Sequence, residues 1–331
     1  MQSKTAKQLV VVGSGWAGFT ILAKTKQLLK AGWELTVLSP RNYFCFTPLL
    51  ASTCVGTLEY RAIVESVKAS YPKIRFVEGK ATNIEGHRIL YRTTTNEEEC
   101  KHLAFDRLIL ACGATTNTFG VAGVREHAHF LKDINDAKSI RRKIIDCFDK
   151  ASVGDPRAML HFVIVGGGPT GVEFAAELHD LLESDIARCY SGLMDFVQIT
   201  LFDVAPRILG GFDAQLADYA TRHFHRHNIQ IRTGKAVVRI EENRLHLDDG
   251  EVVSFGMVVW VTGVGPTEFV QSLSFEKNKA GRLLVDDRLR LTDSIYALGD
   301  CAVIREMDLP CTAQVALQQA RYLSKGTFSF L

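Results

Sequence analysis

The chain has no cysteine pair at C-x-x-C spacing and no cysteine–histidine set at zinc spacing. Its eight cysteines, Cys45, Cys54, Cys100, Cys112, Cys147, Cys189, Cys301 and Cys311, therefore read as free thiols of a reducing compartment, not as a disulfide frame or a zinc finger. It also lacks an excess of one charge. The net charge of +2 excludes the strongly basic balance of a nucleic-acid binder, and runs such as Arg141-Arg142-Lys143 read as solvated helix faces. No apolar stretch approaches the ~20 residues of a membrane-spanning helix. No secretory leader or long Arg-rich presequence precedes the first strand, so any organelle address is expected to be absent or very short. What remains, 47% apolar and 23% charged over 331 residues, is the composition of a soluble α/β protein of about two domains.

The stretch His161 to Glu177, HFVIVGGGPTGVEFAAE, organises the chain. Phe162 to Val165 is a continuous apolar run, as expected of a parallel strand covered on both faces. It enters Gly166-Gly167-Gly168-Pro169-Thr170-Gly171 and continues as a helix. Strand, G-x-G-x-x-G and helix in that order form the dinucleotide-binding turn. Gly166 allows the tight turn, Gly168 lets backbone approach a pyrophosphate, and Gly171 lets the helix lie close on the strand. The helix start then offers free N–H groups and a positive dipole end. Val172, Phe174, Ala175 and Leu178 are the expected buried face.

The same unit occurs earlier. Leu9 to Val12 is a strand, Gly13-Ser14-Gly15-Trp16-Ala17-Gly18 the turn, Phe19 to Ala31 a helix and Glu34 to Leu38 the next strand. The two turns begin 153 residues apart, and the strand-ending Gly113 and Gly263 lie 150 apart. Each half reads as strand, glycine turn, helix, strand, hairpin, then a strand ending in a small residue and Gly. The repeat predicts a two-domain α/β fold. Both domains are expected to be Rossmann-like.

Between the landmarks, Pro40 to Thr57 reads as an apolar-aromatic loop of functional length, with Phe44, Phe46 and Pro48 able to pack on a flat ring. Leu58 to Tyr71 is expected to be helical, Ile74 to Val77 a strand, and Lys80 to Tyr91 a hairpin. Ile134 to Lys150 is a helix with Ile140, Ile144, Ile145 and Phe148 as core, and the Gly171 helix is expected to run to about Ile186. Val197 to Phe202, the Lys235–Leu247 pair, Leu289 to Asp293 and Ile295 to Leu298 read as strands, and Thr312 to Ser324 as a helix. His223, His225 and His227 read as a surface helix without a metal, because no acid or thiol nearby in sequence supplies a third ligand.

Asp203 ends the second strand of the second unit, where a carboxylate accepts from ribose hydroxyls and repels a 2′-phosphate. This predicts NADH over NADPH, with Arg207 partly offsetting the repulsion. In the first unit the corresponding residue is Ser39, a weaker ribose partner.

Two tandem dinucleotide units resemble the two-dinucleotide-binding-domain flavoproteins. Within them SPRNYFCFTPLLASTCVGTLEYRAIVE, GGGPTGVEFAAEL, VWVTGVGPT, YALGDCA and LPCTAQVALQQARYLSK are similar to the type II (alternative) NADH:quinone oxidoreductases. The resemblance spans roughly residues 8 to 325 and implies that the second domain is inserted in the first, 1–150 and 276–331 around 151–275. It implies FAD on the first unit and NADH on the second, with hydride passed to flavin and two electrons to a quinone without proton pumping. It places Gly13, Gly15, Trp16, Gly18, Ser39, Arg41, Thr47, Pro48, Gly113, Gly299 and Asp300 with FAD, Asp300 on the ribityl chain. It places Gly166, Gly168, Gly171, Asp203 and Gly263 with NADH. Glu173, otherwise a helix-start acid, would stand near nicotinamide and flavin. Gln314 and Gln318, otherwise solvent-facing, would stand beside flavin and quinone.

The spacing of Cys45 and Cys54 does not fit the redox pair of the disulfide reductases, and Cys112 and Cys311 are the candidates for a sulfide:quinone route. The resemblance also implies attachment to the mitochondrial inner-membrane surface and a homodimer, through amphipathic helices beyond the glutamine helix. Only Gly326 to Leu331 follow that helix here. The alternative is a flavin- and NADH-binding redox-responsive protein without quinone turnover.

Overall fold

A computed structural model describes residues 6–96 and 98–326. In chain order the glycine turns are framed by β1 (Lys7–Val12), α1 (Trp16–Leu22), β2 (Trp33–Ser39), β3 (Arg75–Glu78), β4 (Arg107–Leu110), α2 (Ile134–Ala151), β5 (His161–Val165), α3 (Pro169–Leu181), β6 (Gln198–Asp203), α4 (Ala214–Arg226), β7 (Ile229–Thr233), β8 (Met257–Trp260), β9 (Ile295–Ala297) and α5 (Ala313–Gly326). Packing groups them into two compact units. One holds the chain up to Cys45, Val64–Thr115 and the chain from Val264 on; the other holds Phe46–Ile63 and Thr116–Gly263. These division points differ from those of the sequence repeat.

The first unit is built on a parallel five-stranded sheet of order β9-β4-β1-β2-β3. Its middle strand β1 buries Leu9 to Val12 on both faces, which is why that strand carries no alternation. The second unit repeats the plan as His129–Phe130, β8, β5, β6, β7, again all parallel. Phe162, Val163 and Ile164 are fully buried at its centre. Each unit also carries a three-stranded antiparallel sheet: Lys80–Glu85, Arg88–Arg92 and Cys100–Ala104 in the first, Val237–Glu241, Arg244–Leu247 and Val252–Ser254 in the second. Both have a register shift in the first pair, at Ala81/Asn83 and at Val237/Arg239, so the repeat extends to the position of a bulge.

Several expected elements differ. Leu58 to Tyr71 is a 3-10 turn Tyr60–Ala62, a strand Val64–Ser66 and a short helix Val67–Ser70. The strand pairs antiparallel with Tyr43–Cys45, and Ser66 caps the short helix through Ala69 N–H. A partner strand thus overrides local helix propensity. Pro40 to Thr57 is not a bare loop, since it contains Tyr43–Cys45 and the helix Leu50–Val55. The helix expected over Phe19 to Ala31 breaks after Leu22 and restarts at Thr25, whose hydroxyl donates to Leu22 O at 2.6 Å. Helix α3 becomes one π turn at Leu182–Ile186. Leu289 to Asp293 is no strand; Leu289 has φ +62° and Asp286 gathers the amides of Arg288 and Arg290. On α2, Ile140, Ile144 and Phe148 are buried, but Ile145 is 40% exposed, about 100° round the helix from Ile144. Val172 is half-buried, whereas Phe174, Ala175 and Leu178 are fully buried.

Candidate functional site

In the first unit, β1 delivers the chain to Gly13 at φ +108°, where a Cβ would lie 2.2 Å from Ala111 O. A Cβ on Gly18 would lie 2.0 Å from Gly13 O. Both glycines are therefore demanded by the fold. Gly15 is different: its φ is −78° and ψ −165°, ordinary extended backbone, and nothing lies within 4 Å of a Cβ built there. The second unit repeats this distinction. Gly166 has φ +121° with Thr262 in the way, a Cβ on Gly171 would meet Gly166 O at 1.9 Å, and Gly168 (φ −76°, ψ −178°) has open space.

Gly15 and Gly168 are also the N-caps of α1 and α3, and neither is capped by a side chain. By contrast α2 starts with a capping box at Asp133 and α4 is capped by Asp213. A helix start with open N–H groups behind an open glycine is an anion cradle. Both cradles fit the pyrophosphate of a dinucleotide.

Asp203 lies half-buried at the end of β6. Its Oδ2 accepts from Gly167 N at 2.5 Å and its Oδ1 from Ala205 N at 2.7 Å. The carboxylate thus holds the glycine turn itself, a task its place in the sequence did not reveal. Arg207 is exposed and directs its guanidinium to Gly210 O and Phe212 O, at 3.5 and 3.4 Å. In the first unit Ser39 is 2% exposed. Its Oγ is 2.9 Å from Ser14 Oγ and accepts from Arg41 N at 3.2 Å, and Ser14 Oγ donates to Arg41 O. Ser39 therefore ties the half-buried Arg41 segment to the glycine turn. Ser14, at the first x of G-x-G, is a buried partner that no sequence signal marks.

Glu173 is the fifth residue of α3, not a residue of its first turn. The dipole account of an acid at that position therefore fails. Its carboxyl is raised above the usual range, first by partial burial and then by the charge of Glu177 one turn on. Glu177 accepts from Ser52 Oγ at 2.6 Å and Thr57 Oγ1 at 3.0 Å, contacts between segments 120 residues apart that sequence does not reveal. A raised carboxyl binds a proton more tightly folded than unfolded, so its contribution to stability is lost as pH rises through the raised value. Wild type should therefore lose stability relative to Glu173→Gln as pH climbs from about 4.5. Urea midpoints of the two proteins across that range check this; a constant difference refutes it.

The other candidates fall in place as follows. Gly113 and Gly263 share the left-handed region, φ +65° and +75°. Thr47 is half-buried and Pro48 exposed in the turn Thr47–Leu49 of the second unit. Trp16 and Phe19 both pack on Phe44, at 5.1 and 4.7 Å, so Phe44 is engaged within its own unit, while Phe46 is 41% exposed. Gln314 and Gln318 are exposed on α5, which packs on α1. Gly299 has φ +74° and is buried, and the half-buried Asp300 follows it.

The residue that fixes Gly299-Asp300 is Gln319, the neighbour of the predicted Gln318. It is 7% exposed and its Oε1 accepts from Gly299 N at 2.7 Å. Gln319→Leu should strand that buried N–H, costing about 1–3 kcal/mol, and displace Asp300. Urea unfolding together with flavin retained after desalting reads both effects; an unchanged unfolding midpoint would refute the first.

Cys112 hydrogen-bonds to Cys301, and this bond with burial pushes its thiol well up, which disfavours the thiolate that a sulfide route needs.

Residues 7–320 match the family described as pyridine nucleotide-disulphide oxidoreductase. A probable NADH dehydrogenase of Dictyostelium discoideum is 38% identical, over 96% of this chain and 73% of that protein. An external alternative NAD(P)H-ubiquinone oxidoreductase B1, mitochondrial, of Solanum tuberosum is 39% identical over 98% of this chain and 60% of its own length. Among solved structures, NDH2 of Plasmodium falciparum in complex with NADH superposes with a TM-score of 0.90 at 27% identity, covering 97% of this chain and 82% of that one. The sulfide:quinone oxidoreductase of Aquifex aeolicus, at 20% identity and TM-score 0.77, shares the fold. Among the described residues, no helix is long and apolar enough to cross a membrane. The chain belongs to the pyridine nucleotide-disulphide oxidoreductase family, among the NADH dehydrogenases and alternative NAD(P)H-ubiquinone oxidoreductases.

Proposed function

We propose that this chain is an FAD-dependent NADH:quinone oxidoreductase that pumps no protons and works at a mitochondrial membrane surface. The observation that carries the reading is the pair of open, uncapped glycine turns, one per unit, of which only the second ends its next strand in a carboxylate. The chemistry that bound FAD supplies is acceptance of hydride from NADH and delivery of two electrons to a quinone. Gly13 to Gly18 and the start of α1 hold the FAD pyrophosphate, with Ser39 and Arg41 on the ribose side and Gly299-Asp300 at the ribityl chain. Gly166 to Gly171 holds that of NADH, and Asp203 accepts from its ribose. Glu173, its carboxyl raised above the usual range by partial burial and the charge of Glu177, holds or releases the proton that accompanies the electron pair. Gln314 and Gln318 present amides toward a quinone from the same unit as FAD.

The test is anaerobic titration of flavin-loaded protein with NADH, followed by steady-state oxidation with a short-chain quinone and with ferricyanide. Bleaching of the flavin band and turnover with both acceptors are expected. Bound flavin that NADH does not reduce would defeat the reading, and turnover with ferricyanide alone would remove the quinone.

A further inference from the structure

Helix α3 carries His179 in its last turn, 9% exposed, and runs into the π turn that holds Glu183. Isolated π turns concentrate at functional sites. His179 and Glu183 are four residues apart on one face, with Nε2 and Oε1 separated by 3.2 Å. A third group comes from another element of the same unit. His227, the C-cap just past α4, sets its ring 4.7 Å from that of His179, nearly edge-on at 77°. One ligand atom from each of the three lies within 4.8 Å of the other two. On its far side, His179 Nδ1 faces Asp180 Oδ1 at 3.4 Å.

We propose that His179, Glu183 and His227 form a site for a zinc-class divalent cation. Two imidazoles and one carboxylate are a borderline donor set, suited to zinc and its neighbours and not to magnesium or calcium, which take oxygen ligands. Metal–ligand bonds of about 2.0–2.2 Å set tetrahedral donors roughly 3.3–3.5 Å apart. The His179–Glu183 pair already stands at that spacing, and the half-buried His227 ring needs a rotation to join it. Asp180 occupies the outer position that fixes a ligating histidine, accepting from Nδ1–H and leaving Nε2 for the metal. The fourth position is open to water. His223, exposed with its ring 4.5 Å from that of His227, is the next imidazole outward. The cation ties the end of α3, whose start is the Gly166–Gly171 turn, to the end of α4. It stabilises that unit without touching the turn.

The whole chain is titrated with zinc chloride against a chromophoric chelator, and separately with cobalt chloride. Tight binding is expected to weaken at least tenfold in His227→Ala and in Glu183→Gln, both outside the core, and to persist in His225→Ala. The cobalt complex should show d–d bands without thiolate charge transfer, which separates this site from the eight cysteines. Zinc should raise the melting temperature of wild type and not of His227→Ala, and circular dichroism of the metal-free variants checks their fold. Equal affinity in wild type and both variants, a comparable loss in His225→Ala, or a thiolate band overturns the site.

Discussion

Gly171→Ala is expected to cost about 3 kcal/mol or more and to abolish NADH oxidation, while Gly168→Ala, three residues earlier, leaves stability within about 1 kcal/mol and still loses NADH. The difference lies in what each methyl would meet. On Gly171 it would sit 1.9 Å from Gly166 O and 3.2 Å from Val261 Cγ2. The first of these is backbone at the end of β5, so α3 must lift off the strand, at the upper end of overpacking costs. On Gly168 the methyl meets nothing within 4 Å, and the backbone there is extended. Two small effects remain. Alanine narrows the unfolded ensemble, a gain of ~0.4–1 kcal/mol, and it is a poorer N-cap than glycine by roughly the same amount. The space it fills is the proposed meeting point of a pyrophosphate with the helix start, so a tenfold or greater rise in KM for NADH, about 1.4 kcal/mol, is expected. Urea unfolding and steady-state kinetics on both variants decide it. If Gly168→Ala unfolds as easily as Gly171→Ala, or keeps wild-type KM, the openness of that glycine has no functional meaning. Gly18→Ala and Gly15→Ala should divide in the same way with flavin retention as the readout, since a Cβ on Gly18 meets Gly13 O at 2.0 Å and one on Gly15 meets nothing.

That division also shows what a sequence carries. The glycine turns, the parallel strands around them and the repeat at 153 residues were legible because strand, turn and helix are local and a buried parallel strand is apolar throughout. Which glycine serves the fold and which a ligand was legible from its place in G-x-G-x-x-G; that Gly13 lies against Ala111 and Gly166 against Thr262, far along the chain, was not. The strand Cys100–Ala104 escaped because only Leu103 of its five residues is buried, which leaves no alternation to read. Gln319 escaped for a related reason. Three glutamine positions lie on one short helix, and only the packing of α5 against α1 decides which turns inward. The histidines are the sharpest case. His223, His225 and His227 read from sequence as a surface helix without a metal, yet the pair at ligand spacing is His179 and Glu183, with His227 arriving across the fold.

Asp203 unites both kinds of information, and its removal should produce the second large effect. Its position at the end of β6 predicts the coenzyme; its bonds to Gly167 N and Ala205 N show that it also builds the turn. Asp203→Ala removes two charge-assisted acceptors, each worth ~1.5–3 kcal/mol, together with the proposed ribose contact. A fall in kcat/KM for NADH of about a hundredfold is expected. Asp203→Asn should do little better, because its NH2 group would face one of the two amide donors. For NADPH the loss should be smaller, since the same substitution removes the charge that repels a 2′-phosphate, so the NADH:NADPH ratio narrows. Arg207 sharpens the test. Its guanidinium is directed to Gly210 O and Phe212 O, and with Asp203 gone it is a cation four residues on that can meet a 2′-phosphate. Asp203→Ala with Arg207→Ala should then lose the NADPH activity that Asp203→Ala alone retains. If the proposed discrimination is electrostatic, raising salt should move the ratio toward NADPH, by less than for a fully exposed charge. A ratio indifferent to both the carboxylate and ionic strength would mean that the ribose is read by shape, and that Asp203 serves only the turn.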